Sequence, residues 1–221
     1  MGRLFLYANR FFYKMLITKI DKQKKNNKRY NLYIAGEFYC GLYDDTILKF
    51  GIASGDELSE EKLNQIREFD EYIYGKKISF DYLSYRIRTV AEIKKKLKSK
   101  DISPVIIDKV IHHLNELGLV NDEEFAKQLI TEKIKNKPAG KRLLQQKLFE
   151  KGISKQVSES SIEKYLTEEA EKMMALKVYD KLKPKLKGLE TQKAKQKIYE
   201  TLARKGFEYD TINEIIREKA D

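Results

Sequence analysis

Apolar positions along this chain fall into two regimes. From Met15 to Gly51 they come in short runs with strand-like spacing. From Ser59 onward they recur every three or four residues, the spacing of one helix face. Met15-Leu16-Ile17-Thr18-Lys19-Ile20 opens the first regime, and a polar stretch, Asp21 to Lys28, interrupts it. Tyr30 to Ile34, Phe38 to Tyr43 and Ile47 to Gly51 read as three further strands. Turns at Ala35-Gly36-Glu37 and Asp44-Asp45 separate them. The pattern predicts a small antiparallel β element. Ser59 followed by Glu60-Glu61 has the form of a helix start, an N-cap with acids at the positive helix end, and predicts a helix to about Tyr74. Residues 1–14 precede this as an extension of undetermined order.

In the helical regime the sequence repeats itself. Ile93-x-x-Lys96-Leu97-x-x-Lys100-Asp101-Ile102-Ser103 aligns without gaps to Leu144-x-x-Lys147-Leu148-x-x-Lys151-Gly152-Ile153-Ser154. Ile198-x-x-Thr201-Leu202-x-x-Lys205-Gly206-Phe207-Glu208 is a third copy, and the offsets are 51 and 54 residues. The first apolar residue and the leucine four later share a face and enter a core. Gly152 and Gly206 fall where a helix closes at positive φ, and Asp101 must adopt that conformation in the first copy. The Ile or Phe that follows closes the end, and Ser103, Ser154 and Glu208 open the next helix. Pro104 takes a first-turn position, where proline is tolerated. Thr89-x-x-Glu92 and Asn121-x-x-Glu124 are capping boxes. A further helix is predicted before each pair, at about 78–88, 122–136 and 169–187. The expected fold is mainly α: tandem three-helix repeats in an elongated arrangement, preceded by a small antiparallel β element and a helix. The implied division is 1–14, 15–74, 75–121, 122–168 and 169–221. One unit of this size is a small core by itself, and stacking would bury its apolar stripe.

Charge sharpens this picture. The formal net charge is +11, and 36% of residues are charged against 41% hydrophobic. Residues 1–75 hold 12 Lys and Arg against 11 Asp and Glu, so nearly all the excess lies in the repeats. A basic surface favours phosphate-rich partners or an acidic protein face. With 36 Lys to 9 Arg, it suits backbone attraction better than the reading of base edges. Cys40 is the single cysteine, which excludes an internal disulfide and a cysteine-based zinc cage and fits a reducing cytosol. The apolar run at Leu4 to Tyr13 is broken by Arg10 and lacks a cleavage site, and no stretch reaches the roughly 20 apolar residues of a membrane helix. A soluble, cytoplasmic protein is expected.

A search for chemistry finds little. Pro138-Ala139-Gly140-Lys141-Arg142 lacks the leading glycine and the Ser/Thr of a phosphate-cradling loop. His112 and His113 are adjacent and point to different helix faces, so they do not chelate one metal. The acidic pairs sit at turns or helix starts. No nucleophile–base pattern stands out, and no catalytic residue, cofactor or metal is expected. The basic residues remain. Lys94, Lys95 and Lys98 project from the helix carrying Ile93 and Leu97. Lys100, Lys151 and Lys205 are read as last-turn cations that offset the helix end. Arg86 and Arg88 are conspicuous because arginine is scarce; they grip a partner's anion or pair with a neighbouring acid. Phe149 lies on the outward helix face, either packed on the adjacent repeat or exposed as a partner anchor.

Tyr82-Leu83-Ser84-x-Arg86-x-Arg88-Thr89-x-x-Glu92-Ile93-x-x-Lys96-Leu97 resembles the RecX family of recombination regulators. His113-Leu114-x-x-Leu117-Gly118-Leu119-Val120-Asn121-Asp122-x-x-Phe125-Ala126 is similar to that family's linker between first and second repeats. Lys147-Leu148-x-x-Lys151-Gly152-Ile153 resembles its second-repeat signature. The resemblance covers about residues 75–221, and Met15 to Tyr74 looks like the β-containing N-terminal extension of Firmicutes-type members. Asp101, where glycine is common, and Asn121, where aspartate is, depart from the pattern; the third repeat is the most divergent. The resemblance implies a modulator of RecA, one that binds the RecA–DNA filament in its helical groove and suppresses ATP hydrolysis and strand exchange. The expected partners are the RecA filament and single- or double-stranded DNA, with the chain itself a monomer. Arg86, Arg88, Lys94, Lys95, Lys98, Lys141, Arg142 and Phe149 are the candidate contact residues. A second reading is a DNA-binding helical protein, not sequence-specific, without a recombinase partner. It predicts salt-sensitive binding to bare DNA.

Overall fold

The computed structural model describes residues 15–220, so the extension at residues 1–14 lies outside the described residues. Two compact units emerge, one of residues 15–81 with 97–110 and one of residues 82–96 with the rest of the chain from 111. In the first, β1 (Met15–Lys22), β2 (Arg29–Ile34), β3 (Glu37–Tyr43) and β4 (Glu57–Leu58) form an antiparallel sheet in the order β3-β2-β1-β4. The β2–β3 hairpin turns on Ala35 and Gly36, both at positive φ, as a two-residue turn between right-twisted strands requires. Ile17, Leu32 and Leu42 are fully buried beneath it and meet Ile52, Leu63 and Ile66 in one apolar cluster.

The fourth predicted strand is not a strand. Residues 44–50 form helix α1 (Asp44–Phe50), whose acidic pair stands in its first turn and not in a β-turn. Gly51, at φ 59°, closes it, and the Ile52 N–H reaches back to the Ile47 carbonyl at 3.4 Å. A run as short as Ile47-Leu48-Lys49-Phe50 carries no period that separates strand from helix. What decides is a buried carboxylate from the next helix, α2 (Glu60–Leu83). Asp70 accepts the Tyr43 N–H at 2.6 Å and the Thr46 hydroxyl at 2.8 Å, capping α1 from outside. Burial pushes the Asp70 carboxyl above its ordinary value, against the pull of those two hydrogen bonds and of Arg29 and Lys77.

Helix α2 runs well past Tyr74, and the separate helix expected at 78–88 is absent: α2 ends at Leu83, and residues 84–89 form a non-helical link. Arg86 and Arg88 therefore lie on that link. The remaining elements follow the sequence closely: α3 (Val90–Lys98), α4 (Pro104–Glu116), α5 (Asp122–Lys135), α6 (Lys141–Glu150), α7 (Lys155–Tyr165), α8 (Glu168–Leu182), a short 3-10 turn (Lys183–Lys185), α9 (Thr191–Arg204) and α10 (Tyr209–Ala220). In chain order α3–α4, α6–α7 and α9–α10 are the repeated pairs. Asp101, Gly152 and Gly206 have φ of 58°, 75° and 81°. The N–H of Ile102, Ile153 and Phe207 bonds back to the carbonyl of Leu97, Leu148 and Leu202, closing all three ends alike. Pro104 opens α4 as predicted, Ser154 caps α7, and Asn121 caps α5.

The second unit contains a joint used twice. At the first, the N-terminus of α3 meets the C-terminus of α6: the Thr89 hydroxyl donates to the Lys151 carbonyl at 2.7 Å, and Ala91 lies so close to Gly152 that a Cβ there would overlap it. At the second, the N-terminus of α6 meets the C-terminus of α9, where Gly140 N–H reaches Lys205 O at 2.9 Å and Arg142 N–H reaches Gly206 O at 3.0 Å. An acid in the first turn of the next repeat's leading helix, α5 or α8, completes each. Asp122 accepts the Val90 N–H at 3.0 Å, and Glu171 accepts the Lys141 N–H at 3.1 Å. These acids satisfy N–H groups that helix starts leave without a partner, and burial raises both carboxyls. The repeated Lys-Gly is thus a platform on which the preceding repeat's middle helix is seated. Asp101 holds the same backbone conformation on an exposed residue, so the first copy needs positive φ but no room for a neighbour.

Candidate partner-binding surface

The arginines singled out by their scarcity prove to be occupied. Arg86 grips Glu92 with both terminal nitrogens, at 2.9 and 3.1 Å, and donates to the Ile87 carbonyl at 2.8 Å. Lys151 joins from across the first joint, its Nζ 3.1 Å from Glu92 Oε1. Glu92 is therefore both the acid of the Thr89 capping box, accepting the Thr89 N–H at 3.4 Å, and the centre of an ion network. Burial alone would raise its carboxyl, but the hydrogen bonds and charges of Arg86 and Lys151 outweigh it and bring the pKa down to about 2. Arg88 lies over the Tyr82 ring at 3.9 Å and donates to the Tyr82 carbonyl at 3.3 Å. Both arginines brace the link between α2 and α3, Arg86 through a carboxylate and Arg88 through a tyrosine ring and a backbone carbonyl.

This network makes a pH prediction. Because the folded Glu92 titrates below an unfolded glutamate, its contribution is complete above about pH 4.3 and is lost as pH falls toward 2. Glu92→Gln should lower stability by about 1–2 kcal/mol at neutral pH, a modest figure because Arg86 and Lys151 remain two-fifths exposed. Thermal unfolding at a series of pH values should show the variant with a flatter acid limb than the parent.

Lys94, Lys95 and Lys98 are exposed along α3, as their spacing predicts. Lys141 is half-buried, with Glu208 3.9 Å from its Nζ, while the Arg142 side chain is exposed. Phe149 is 79% exposed and so is not packed on the adjacent repeat. Tyr85, 83% exposed, and Ile87 flank Arg86 on the link. The expected last-turn lysines need correction: Lys151 and Lys205 stand just beyond the last helical residue, as does Lys100 after α3. Lys151 is committed to Glu92 as well as to the helix end.

A second group of cations escaped the sequence reading. The end of α5 and its linker, α6, the end of α8 with its 3-10 turn, and α9 surround a cleft of about 730 Å³. Lys133, Lys137 and Lys147 line it from one side, and Lys181, Lys185, Lys197, Arg204 and Lys205 from the other. Most of these lysines stand near helix C-termini, where each has an unremarkable local explanation. Only the convergence of those ends reveals the group, and that convergence is tertiary. A second cleft of about 970 Å³, lined mainly from α7, α8 and α10, leans the other way, with carboxylates that include Glu159, Glu163, Glu168, Glu171 and Glu214 outnumbering the cations Lys141, Lys172 and Arg217. Among the described residues no cluster of His, Cys, Asp and Glu is arranged to hold a metal ion, and no helix is long and apolar enough to cross a membrane.

Comparison with known proteins gives consistent matches. Four family models fit in chain order: the regulatory protein RecX N-terminal domain over residues 15–59, and the first, second and third three-helix domains of RecX over residues 76–114, 121–162 and 170–216. Regulatory protein RecX of Staphylococcus aureus strain JH9 is 33% identical over 202 residues, covering 91% of this chain and 74% of that protein. The protein of strain N315 matches to the same extent. A crystal structure of a regulatory protein RecX has a TM-score of 0.74 at 27% identity, over 93% of this chain and all of that one. The crystal structure of RecX from Lactobacillus salivarius has a TM-score of 0.65 at 30% identity, over 67% of this chain and 96% of that one.

Proposed function

Since this chain belongs to the RecX family of regulatory proteins, we propose that it works without catalysis, by binding the RecA–DNA filament and lowering RecA's ATP hydrolysis and strand exchange. The observation that carries this reading is the match of the N-terminal domain and all three helical domains in one continuous order. The surface is compatible with it. Lys94, Lys95 and Lys98 form a basic helix face, and the exposed Phe149 and Tyr85 offer aromatic anchors of the kind that dominate binding energy. Arg86, Arg88 and Lys141 belong to the same proposed contact, and Arg142 adds an exposed cation. The test is RecA's ATPase on single-stranded DNA, with and without this protein. ATP hydrolysis is expected to fall, and an unchanged rate over a full titration removes the proposal. Phe149→Ala should weaken inhibition by roughly tenfold, the size of one aromatic anchor worth about 1–2 kcal/mol. Full inhibition by the folded variant would exclude Phe149 from the contact.

A further inference from the structure

One of the differences between the two joints of the second unit leaves a charge unanswered. At the first, Lys151 meets Glu92. At the second, Leu143 occupies the position equivalent to Glu92 and Lys205 that equivalent to Lys151. Leu143 and Lys205 both line the basic cleft. Eight of its lining side chains are cationic and none is a carboxylate. Lys133 is paired with Glu132 at 2.6 Å, and the Lys197 ammonium lies 3.5 Å from the Lys185 carbonyl. Lys137, Lys147, Lys181, Lys185, Arg204 and Lys205 make no side-chain ion pair among the described residues. Helix ends do not account for them. Each C-terminus is worth at most about half a negative charge, so even four such ends would offset no more than about two of the cations. The remainder repel one another unless an anion joins them.

We propose that this cleft seats a nucleic-acid strand, held by its phosphodiester groups and not by its bases. No aromatic side chain lines it, so there is no platform on which a base would stack. Seven of the eight cations are lysines, point charges suited to phosphate, whereas base edges are read by bidentate arginine. Of the apolar side chains that line the cleft, Ala139, Val178 and Leu182 are buried and Pro138 and Leu143 are half-buried, a narrow floor for the anchoring side chain of an acidic peptide. A cleft of about 730 Å³ takes a ligand of roughly drug size, a few linked nucleotides of one strand and not a duplex. The acidic cleft on α7, α8 and α10 gives this unit a charge asymmetry that would steer the basic cleft toward a polyanion.

The proposal goes beyond the recombinase reading and is tested without RecA. Fluorescence anisotropy would follow a labelled oligothymidylate of about 20 nucleotides, competed by an abasic strand of equal length, across a salt series. The abasic strand should compete within about threefold, and a seat for about four phosphates should give a log–log salt slope near −3. Lys181→Glu with Lys185→Glu and Arg204→Glu should weaken binding at least tenfold, and Leu143→Glu, which places a carboxylate beside Lys205, should weaken it as well. The milder Lys181→Gln, Lys185→Gln pair, at exposed positions, guards against a folding defect and should reduce the salt slope. Undiminished binding by the folded variants would overturn the proposal. So would failure of the abasic strand to compete, or displacement of the oligonucleotide by a glutamate-rich peptide more readily than by DNA.

Discussion

Gly206→Ala should destabilise the second unit by about 3–5 kcal/mol, enough to unfold a domain of ordinary marginal stability. Two costs combine there. The residue sits at φ 81°, where an L side chain costs about 1–2 kcal/mol, and its Cβ would overlap the backbone and Cβ of Leu143. Other glycines separate these contributions. Gly118, at φ 65° with open space around it, should cost about 1 kcal/mol on change to alanine, from conformation alone. Gly140, at φ −72°, suits alanine conformationally, but its Cβ would overlap the Gly206 carbonyl and the Phe207 backbone. It should cost about 2–3 kcal/mol from close approach alone. Gly152 meets only the Ala91 side chain and should fall between Gly118 and Gly206. Urea unfolding of the four variants would rank them, and a Gly140 variant as stable as the parent would dismiss the seated-helix account of the joint.

Asp70→Ala should cost about 2–4 kcal/mol, since it strips the acceptor from two buried donors, the Tyr43 N–H and the Thr46 hydroxyl. The loss should appear first in α1 and the end of β3, as faster amide hydrogen exchange at Tyr43 and the residues after it. Asp70→Asn keeps an oxygen in the same place and sheds the charge that burial disfavours, so it should cost about 1 kcal/mol or less. If asparagine proves as damaging as alanine, the carboxylate matters through Arg29, 3.9 Å away, and not through the cap.

Local chemistry made most of the fold legible. The helix ends at Asp101, Gly152 and Gly206, the capping box at Thr89, the N-cap at Asn121, and the repeated pairs of helices all follow from interactions within a few residues. The misreadings occur where a distant residue decides. Residues 47–50 became helical under a cap supplied by Asp70. The predicted break near Tyr74 vanished because α2 continues through Ile73, Gly75 and Ser79, all buried, with Gly75 close against the Val110 side chain. The candidate surface divides the same way. Exposure of Lys94, Lys95 and Lys98 could be read from helical spacing, whereas the occupation of Arg86 by Glu92 depends on how the link folds back. Phe149 left two outcomes open, and only packing could choose between them. The basic cleft was invisible because helices from two repeats contribute to it.

The seated helices also act like cells wired in series. With α9 ending against the start of α6, and α6 ending against the start of α3, the partial charges at both inner contacts face their opposites and largely cancel. What remains is one positive pole at the start of α9 and one negative pole at the end of α3. Glu190 stands at the former, and Lys98 and Lys100 stand at the latter. The lysine run of the first copy therefore ends on the terminal of that circuit, where its charge is partly spoken for before any partner arrives.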